Sequence, residues 1–266
     1  MRGGCRSAGL LSPRPTARRP APQRAVVVVW PHRDSRLWPL SIVVDNVIYI
    51  DAEQFSPTPA TAASAPGPDP SWGPCWLTVD DGPNGATTLA LLDVLSRHEV
   101  PAVFCVVGQA VATRDGAAVL REVVARGHVV GNHGWDFSDL GGRTPHEVRD
   151  SLRRTMDTVA EVVGGHVPVP WFRAANGSWG ATVSVATGLG MTPLPVRGTI
   201  DDWLTQDTGI LTANLRRVTE AGGLVLVHDG GGDRTGTVRA LDRVLGERRD
   251  EGRLFTLPQP GQVGDP

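Results

Sequence analysis

From residue 75 onward, short apolar runs alternate with segments of helical periodicity. The runs lie at residues 75–79, 102–107, 128–130, 169–172, 191–196, 223–227 and 253–257. The helical segments lie at 86–98, 116–126, 145–163, 181–189, 208–221 and 235–248. This alternation predicts an α/β fold with mostly parallel strands, and continuous apolar runs are typical of strands that are buried on both faces. The pattern alone is compatible with an open doubly wound sheet and with a closed barrel.

The part of the chain before residue 75 has a different pattern. Residues 1–25 are rich in Arg, Pro, Ala and Gly without periodicity, which predicts a disordered segment. Residues 26–55 predict a short β extension. Within it, the β-branched runs on either side of Asp45-Asn46 predict the two arms of a hairpin. Residues 56–74 are rich in Pro, Ala, Ser and Gly and predict a linker, so the main domain is expected at 75–258.

Composition excludes several classes of protein. The 266 residues carry a formal net charge of −2, so no basic surplus favours binding to nucleic acid. All 26 basic residues are Arg, which excludes Schiff-base chemistry on lysine. The three Cys form no CxxC pair, and we expect reduced thiols. No apolar run is long enough for a membrane span or a signal-peptide core, so the sequence predicts a cytoplasmic protein that does not bind membranes. The oligomeric state is left open.

Polar residues follow five of the predicted strands, four of them near the strand end and one group a few residues beyond the strand at 191–196. They are Asp80-Asp81, Asn132-His133, Arg173, Asp201-Asp202-Trp203 and His228-Asp229. Because the carboxyl ends of parallel strands converge on one face of an α/β fold, we expect these side chains to line one cleft. The chain has neither a GxGxxG nor a GxxxxGK[ST] motif, so a nucleotide cofactor is not expected.

These positions fall in six ordered motifs. They are TVDDGPN (78–84), AVFCVVG (102–108), GNHGWDFSDL (131–140), WFRAANGSWG (171–180), DDW (201–203) and LVLVHDG (224–230). In order and spacing the motifs resemble those of the polysaccharide deacetylase family, which includes chitooligosaccharide and peptidoglycan deacetylases. The resemblance covers about residues 75–257 and implies a distorted (β/α) barrel of seven or eight parallel strands.

The resemblance also implies catalytic roles for individual residues. Asp80 resembles the general base that activates a metal-bound water, and Arg173 resembles its ion-pair partner. His228 resembles the general acid for the leaving amine, and Asp202 the acid that orients it. The implied metal is divalent, usually zinc, with Asp81 and His133 as ligands.

The remaining implied roles concern substrate binding. Leu226 and Trp203 resemble the walls of a pocket for the acetyl methyl group, and the backbone N–H of Asn176 resembles an oxyanion donor. Trp135 is compatible either with packing or with a platform for a sugar ring.

The resemblance breaks down at the metal site. The family has a second His four residues after the first, and here that position is Phe137, which cannot bind a metal. One hypothesis makes Asp136 the third ligand of a metal-dependent deacetylase acting on an N-acetylated amino sugar or a related small molecule. A second is metal-free acid–base chemistry on a small biosynthetic intermediate. A third is a carbohydrate-binding pseudoenzyme. Asp80, Arg173, Asp202 and His228 favour an enzyme over the third.

Overall fold

A computed structural model describes residues 26–30, 47–51 and 73–266. The chain divides into two compact units, Met1–Thr58 and Pro59–Pro266. In the first unit, strands β1 (Val26–Trp30) and β2 (Val47–Asp51) pair in parallel. Strand β2 follows Asp45-Asn46 and is one arm of the predicted hairpin. The other arm of the predicted hairpin, the predicted disordered segment and most of the predicted linker lie outside the described residues.

The second unit contains seven strands and seven helices among its described residues. Its strands are β3 (Cys75–Asp80), β4 (Ala102–Val106), β5 (Val129–Asn132), β6 (Trp171–Phe172), β7 (Thr192–Pro193), β8 (Gly198–Thr199) and β9 (Gly223–His228). Its helices are α1 (Gly85–His98), α2 (Gly108–Val111), α3 (Arg114–Ala125), α4 (Pro145–Val163), α5 (Thr182–Gly188), α6 (Thr208–Ala221) and α7 (Thr235–Asp250).

The strands of this unit form one parallel sheet in the order β7-β6-β5-β4-β3-β9-β8. Around the sheet the strands follow one another in chain order, with β9 closing against β3 and an opening between β7 and β8. This is the order of a sequential (β/α) barrel that is open at one seam. The predicted barrel of parallel strands is therefore confirmed, with seven strands.

Two short elements differ from the sequence prediction. The run at 253–257 forms no extended strand, and only Phe255 makes a bridge, to Cys75 at the start of β3. Instead, Gly198–Thr199 pairs with Val225 and Leu226 as β8. A strand of two residues containing glycine gives no apolar run, so the sequence pattern did not indicate it.

The strands alternate between two buried faces. On β3, Leu77 and Val79 pack in the large cluster beneath the helices, whereas Trp76 contacts a smaller cluster that contains Val103 and Leu224. Because successive side chains point to opposite faces, Thr78 and Asp80 share the face of Trp76. The barrel interior therefore passes from apolar side chains at the start of the strands to polar ones at their carboxyl ends.

Six of the seven helices begin and end within two residues of the predicted positions, whereas the short helix α2 was not predicted. The clearest case is α4, where Thr144 and Glu147 form a capping box and Pro145 occupies the first turn. Among the described residues, no helix combines the length and the apolar character that crossing a bilayer requires.

Candidate active site

Asp80 and His228 end neighbouring strands at the same level of the barrel. They are register partners in the parallel pairing of β3 with β9. Neighbouring strands lie about 4.8 Å apart, so two inward-facing residues in register open on the same space. Asp80 is buried, and the side chain of His228 is 13% exposed. The two residues proposed as base and acid therefore meet at one rim.

Asp80 is held by a buried ion pair. Arg173 Nη1 donates to Asp80 Oδ1 over 2.9 Å and to Thr78 Oγ1 over 2.7 Å, and its Nε donates to the carbonyl of Leu194 over 3.2 Å. Arg173 is 1% exposed, so the guanidinium is fixed by the barrel interior. Because Oδ1 is engaged by Arg173, Oδ2 is the oxygen of Asp80 that faces the neighbouring His133, whose Nε2 lies 3.8 Å away.

His228 is held by Asp202. Its Nδ1 lies 2.7 Å from Asp202 Oδ1, and its backbone N–H donates to Asp202 Oδ2 over 2.9 Å. Burial alone would lower the pKa of His228, but the hydrogen bond and charge of Asp202, with the charges of Asp80 and Asp81, raise it above its ordinary value. The contact at Nδ1 leaves Nε2 as the ring nitrogen that is available for proton transfer.

Asp81 and His133 form a second pair beside this one. His133 Nε2 lies 3.3 Å from Asp81 Oδ1, and His133 Nδ1 lies 2.9 Å from the carbonyl oxygen of Arg173. Burial opposes both charges, yet the contact with His133 lowers the pKa of Asp81, and the two carboxylates raise the pKa of His133. A donor bond from Nδ1 to a carbonyl is the arrangement that orients a metal-binding histidine.

Two glycines allow the loops that carry these residues to approach closely. A Cβ on Gly82 would lie 2.3 Å from both carboxylate oxygens of Asp229, and one on Gly230 would lie 2.3 Å from the carbonyl oxygen of Asp81. Asp81 itself has a φ of 79°, in the left-handed region. The DDGP and HDG segments thus need glycine where the loops after β3 and β9 meet. The left-handed backbone of Asp81 ends the strand there, so Asp81 does not continue the alternation of side chains along β3.

The donor set for a metal is incomplete. Asp81 and His133 can supply two ligands, but no cluster of three His, Cys, Asp or Glu side chains suited to a metal occurs in residues 26–30, 47–51 and 73–266. The predicted third ligand, Asp136, does not join the pair; its Oδ1 accepts from the backbone N–H of Ser138 over 3.0 Å. Phe137 is 53% exposed and offers no ligand atom. These residues do not fit the three-ligand site of a catalytic zinc.

The predicted pocket walls lie beside the acid. Leu226 is buried on the inner face of β9, two residues before His228. The Trp203 ring lies edge-on to His228 with 5.5 Å between ring centroids, and Trp203 is 47% exposed. An exposed ring at this place is available to a ligand that reaches His228.

The structure places the other two predicted substrate residues on the loops after β5 and β6. The guanidinium of Arg154 covers the ring of Trp135 at 3.5 Å, so that face is not free to stack on a sugar. Asn176 follows β6 in a short 3-10 turn with a φ of 57°, and its side chain donates to the carbonyl oxygen of Phe137 over 3.3 Å. Asn176 thus contacts Phe137, the residue at the position of the family's second His.

Two residues next to the base were not assigned by sequence reasoning. Thr78 donates to the carbonyl of Val225 and accepts from Arg173. Cys105 is the register partner of Asp80 on β4, and burial followed by the negative charge of Asp80 raises the pKa of its thiol well above the ordinary value. Strand periodicity could have found Thr78, because it lies two residues before Asp80 and therefore on the same face.

A sequential parallel barrel with a carboxylate and an imidazole in register at the carboxyl ends of its strands defines an α/β barrel whose polar residues converge on one rim. The family model described as Polysaccharide deacetylase matches residues 68–194. The chitooligosaccharide deacetylase of Bradyrhizobium sp. is 32% identical over 198 residues, which cover 69% of this chain and 89% of that protein. The chain therefore belongs to the polysaccharide deacetylase family.

A second relative is much longer. The peptidoglycan-N-acetylglucosamine deacetylase PgdA of Listeria monocytogenes is 31% identical over 182 residues, which cover 67% of this chain and 36% of that protein. The chain thus spans about a third of the length of PgdA. Among solved structures, a CE4 family pseudoenzyme from Bacillus anthracis matches with a TM-score of 0.62 and 22% identity, covering 70% of this chain and 64% of that one. At that identity the similarity shows the fold alone.

Proposed function

We propose that this protein is a hydrolase that removes the N-acetyl group from an amino sugar. The observation that carries the proposal is the register pairing of Asp80 with His228, each held by its own charged partner. Relatives named as deacetylases of N-acetylated sugars support a carbohydrate substrate. We propose a small N-acetylated amino sugar, and not a polymer, as the substrate.

In this proposal the base and the acid act on opposite ends of the reaction. Asp80 accepts a proton from the attacking water through Oδ2, while Arg173 holds Oδ1 and keeps the carboxylate oriented. His228 donates the proton on Nε2 to the amine as the C–N bond breaks, and Asp202 stabilises the charged imidazole. The products are acetate and the free amine. General acid–base catalysis of this kind contributes about 10²- to 10⁴-fold to a rate.

We propose Asp81 and His133 as the residues that would hold a divalent metal. A bound zinc ion would supply Lewis acidity and lower the pKa of water. Because the described residues provide only two such ligands, we expect weaker metal binding than at a three-ligand site, and no step above is assigned to the metal.

Amine release from N-acetylglucosamine and from N-acetylated chitooligosaccharides tests the proposal. We expect release by the purified protein, at least a hundredfold loss in Asp80→Asn, and unchanged release in Asp93→Asn, which alters a carboxylate in an exposed ion pair. Faster release from the monosaccharide than from the oligomers is the expected result for a small substrate. No release from any of these sugars by folded protein would overturn the proposal.

The incomplete ligand set favours a second candidate, a carbohydrate-binding protein without turnover. Calorimetric binding of the same sugars without amine release would support it. Release that persists after exhaustive chelation would instead indicate metal-free acid–base catalysis, and release that is lost on chelation and restored by zinc would indicate a metal-dependent enzyme.

A further inference from the structure

The first turn of α7 contacts the residue that holds the proposed acid. Thr237 is the third residue of α7, and Arg234 lies immediately before the helix. Residues three apart on a helix lie on the same side, and both side chains here donate to Asp202. Neither residue belongs to the proposed acid–base pair or to the charged partners of that pair.

Thr237 contacts the carboxylate of Asp202 directly. Its hydroxyl donates to Asp202 Oδ2 over 3.0 Å, and this oxygen also accepts the backbone N–H of His228. Both Thr237 and Asp202 are 0% exposed, so water does not replace a lost donor there. The Thr237 hydroxyl accepts in turn from Gln206 Nε2 over 3.2 Å. Its other acceptor, Gln206 Oε1, is 3.5 Å away, so the shorter and charged contact with Asp202 is the favoured direction for its proton.

The backbone of Asp202 is fixed from the same side. Its carbonyl oxygen accepts from Arg234 Nη1 over 2.8 Å and from Gln206 Nε2 over 2.7 Å. Arg234 Nε donates to the carbonyl oxygen of Gly230, two residues after His228, over 2.8 Å. One buried guanidinium thus joins the loop that carries Asp202 to the loop that follows His228. The carboxylate of Asp202 is then shared between two side chains, the His228 ring at Oδ1 and the Thr237 hydroxyl at Oδ2.

We propose that Thr237 is a positioning residue for His228, which acts by sharing the carboxylate of Asp202 with the imidazole. The proposal deepens the proposed function and rests on it for the role of His228 as acid. The Thr237 hydroxyl neutralises part of the charge on Asp202, and this sets how strongly the carboxylate stabilises protonated His228.

The groups that face His228 give the sign of the effect. Asp202 contacts its Nδ1, and the charges of Asp80 and Asp81 act on it from the end of β3. Arg234 is the cation nearest to this set from α7, through the carbonyl of Asp202. When the Thr237 hydroxyl is removed and these charges stay, the charge on Asp202 is less neutralised, and protonated His228 becomes more stable.

The test compares Thr237→Val, which keeps the shape, with Thr237→Ser, which keeps the hydroxyl. The His228 ring is titrated by NMR in the full-length, unliganded protein, with its signals assigned from His228→Gln. We expect the pKa of His228 to rise by about half a unit in Thr237→Val, with kcat about two- to threefold lower and KM unchanged. Thr237→Ser should titrate like the wild type.

The control is Thr212→Val, since the buried hydroxyl of Thr212 has no hydrogen-bond partner within the described residues. It should leave the titration and the activity unchanged. If Thr237→Val is poorly folded, Thr237→Ala removes the same hydroxyl. An unchanged His228 titration in a folded variant that lacks the hydroxyl overturns the inference. If the titration of His228 shifts in Thr237→Val but the wild-type protein releases no amine, the proposed function is overturned and the positioning role of Thr237 stands.

Discussion

Asp80 and His228 are register partners on adjacent parallel strands, yet each is held by a charged residue from a different part of the barrel. Arg173 reaches Asp80 from the residue after β6, and Asp202 reaches His228 from the loop after β8. The proposed base and the proposed acid are therefore adjacent in space and independently oriented. Because each has its own partner, the carboxylate of Asp80 can accept a proton while the neighbouring imidazole of His228 holds one.

Replacing Arg173 tests the ion pair that holds the base. In Arg173→Met the buried carboxylate of Asp80 loses its charged partner, and we expect the free energy of unfolding to fall by about 3–5 kcal/mol. Urea denaturation measures it. Arg216→Met is the matched control, because its pair with Glu247 is exposed to water and should contribute far less to the free energy of unfolding. Equal effects in the two variants would show that burial of the Arg173 pair does not matter.

The raised pKa of His228 predicts the pH dependence of activity. A general acid works while protonated, so we expect the alkaline limb of kcat to lie above the ordinary histidine pKa of 6.5. In Asp202→Asn the stabilising charge is lost, and the limb should move to lower pH. Initial rates of amine release between about pH 5 and pH 9 give the position of this limb. A limb that stays in place in Asp202→Asn contradicts the assigned role of Asp202.

Much of this arrangement was predictable from the sequence, because strand ends converge and the polar residues follow the strands. The sequence predicts Asp80, Arg173, Asp202 and His228 at one rim, and the structure brings these residues together. The structure does not place Asp136 beside Asp81 and His133, so its role as a third ligand stays a hypothesis. Its carboxylate caps the next turn through Ser138, and spacing alone does not reveal a side chain's competing hydrogen bonds.

The contacts that sequence reasoning missed are made across the barrel. Thr237 contacts Asp202 from 35 positions away in the chain, and Cys105 meets Asp80 only through strand pairing. Neither residue belongs to a polar cluster at a strand end, so no local pattern marks it. Strand β8 was missed for a related reason, since two residues held by β9 need no apolar run of their own.

Two buried groups make opposite contributions to stability as pH changes. Burial lowers the pKa of His128 to about 4, so its contribution is complete above pH 6.5 and is lost as pH falls towards 4. Burial raises the pKa of Asp229 to about 7, so its contribution is present below pH 3.8 and is lost as pH rises through 7. The two effects oppose each other between about pH 4 and pH 7.

Asp229→Asn separates these effects. The neutral amide does not ionise, so the stability of the variant relative to the wild type should increase with pH between about 4 and 7, by about 2–4 kcal/mol in total. The variant alone should then become more stable from pH 4 to pH 6.5, because the contribution of His128 is no longer opposed by that of Asp229. Urea denaturation at a series of pH values measures both. A constant stability difference across this range would show that Asp229 ionises in the folded protein as it does in the unfolded chain.

Restoring histidine at Phe137 tests whether the incomplete ligand set limits the metal. Asp81 and His133 already lie 3.3 Å apart, with His133 oriented through Nδ1, so a third ligand adds to a site that is partly formed. We expect Phe137→His to raise zinc affinity at least about a hundredfold by calorimetry, since even outer-sphere contacts affect metal affinity 10- to 100-fold. Phe137→Gln keeps a polar side chain without an imidazole and should not do so. The gain should disappear in Phe137→His/Asp81→Ala. An unchanged affinity in folded Phe137→His would mean that the loop after β5 holds position 137 away from the pair, so that the backbone, and not residue type alone, determines the ligand set.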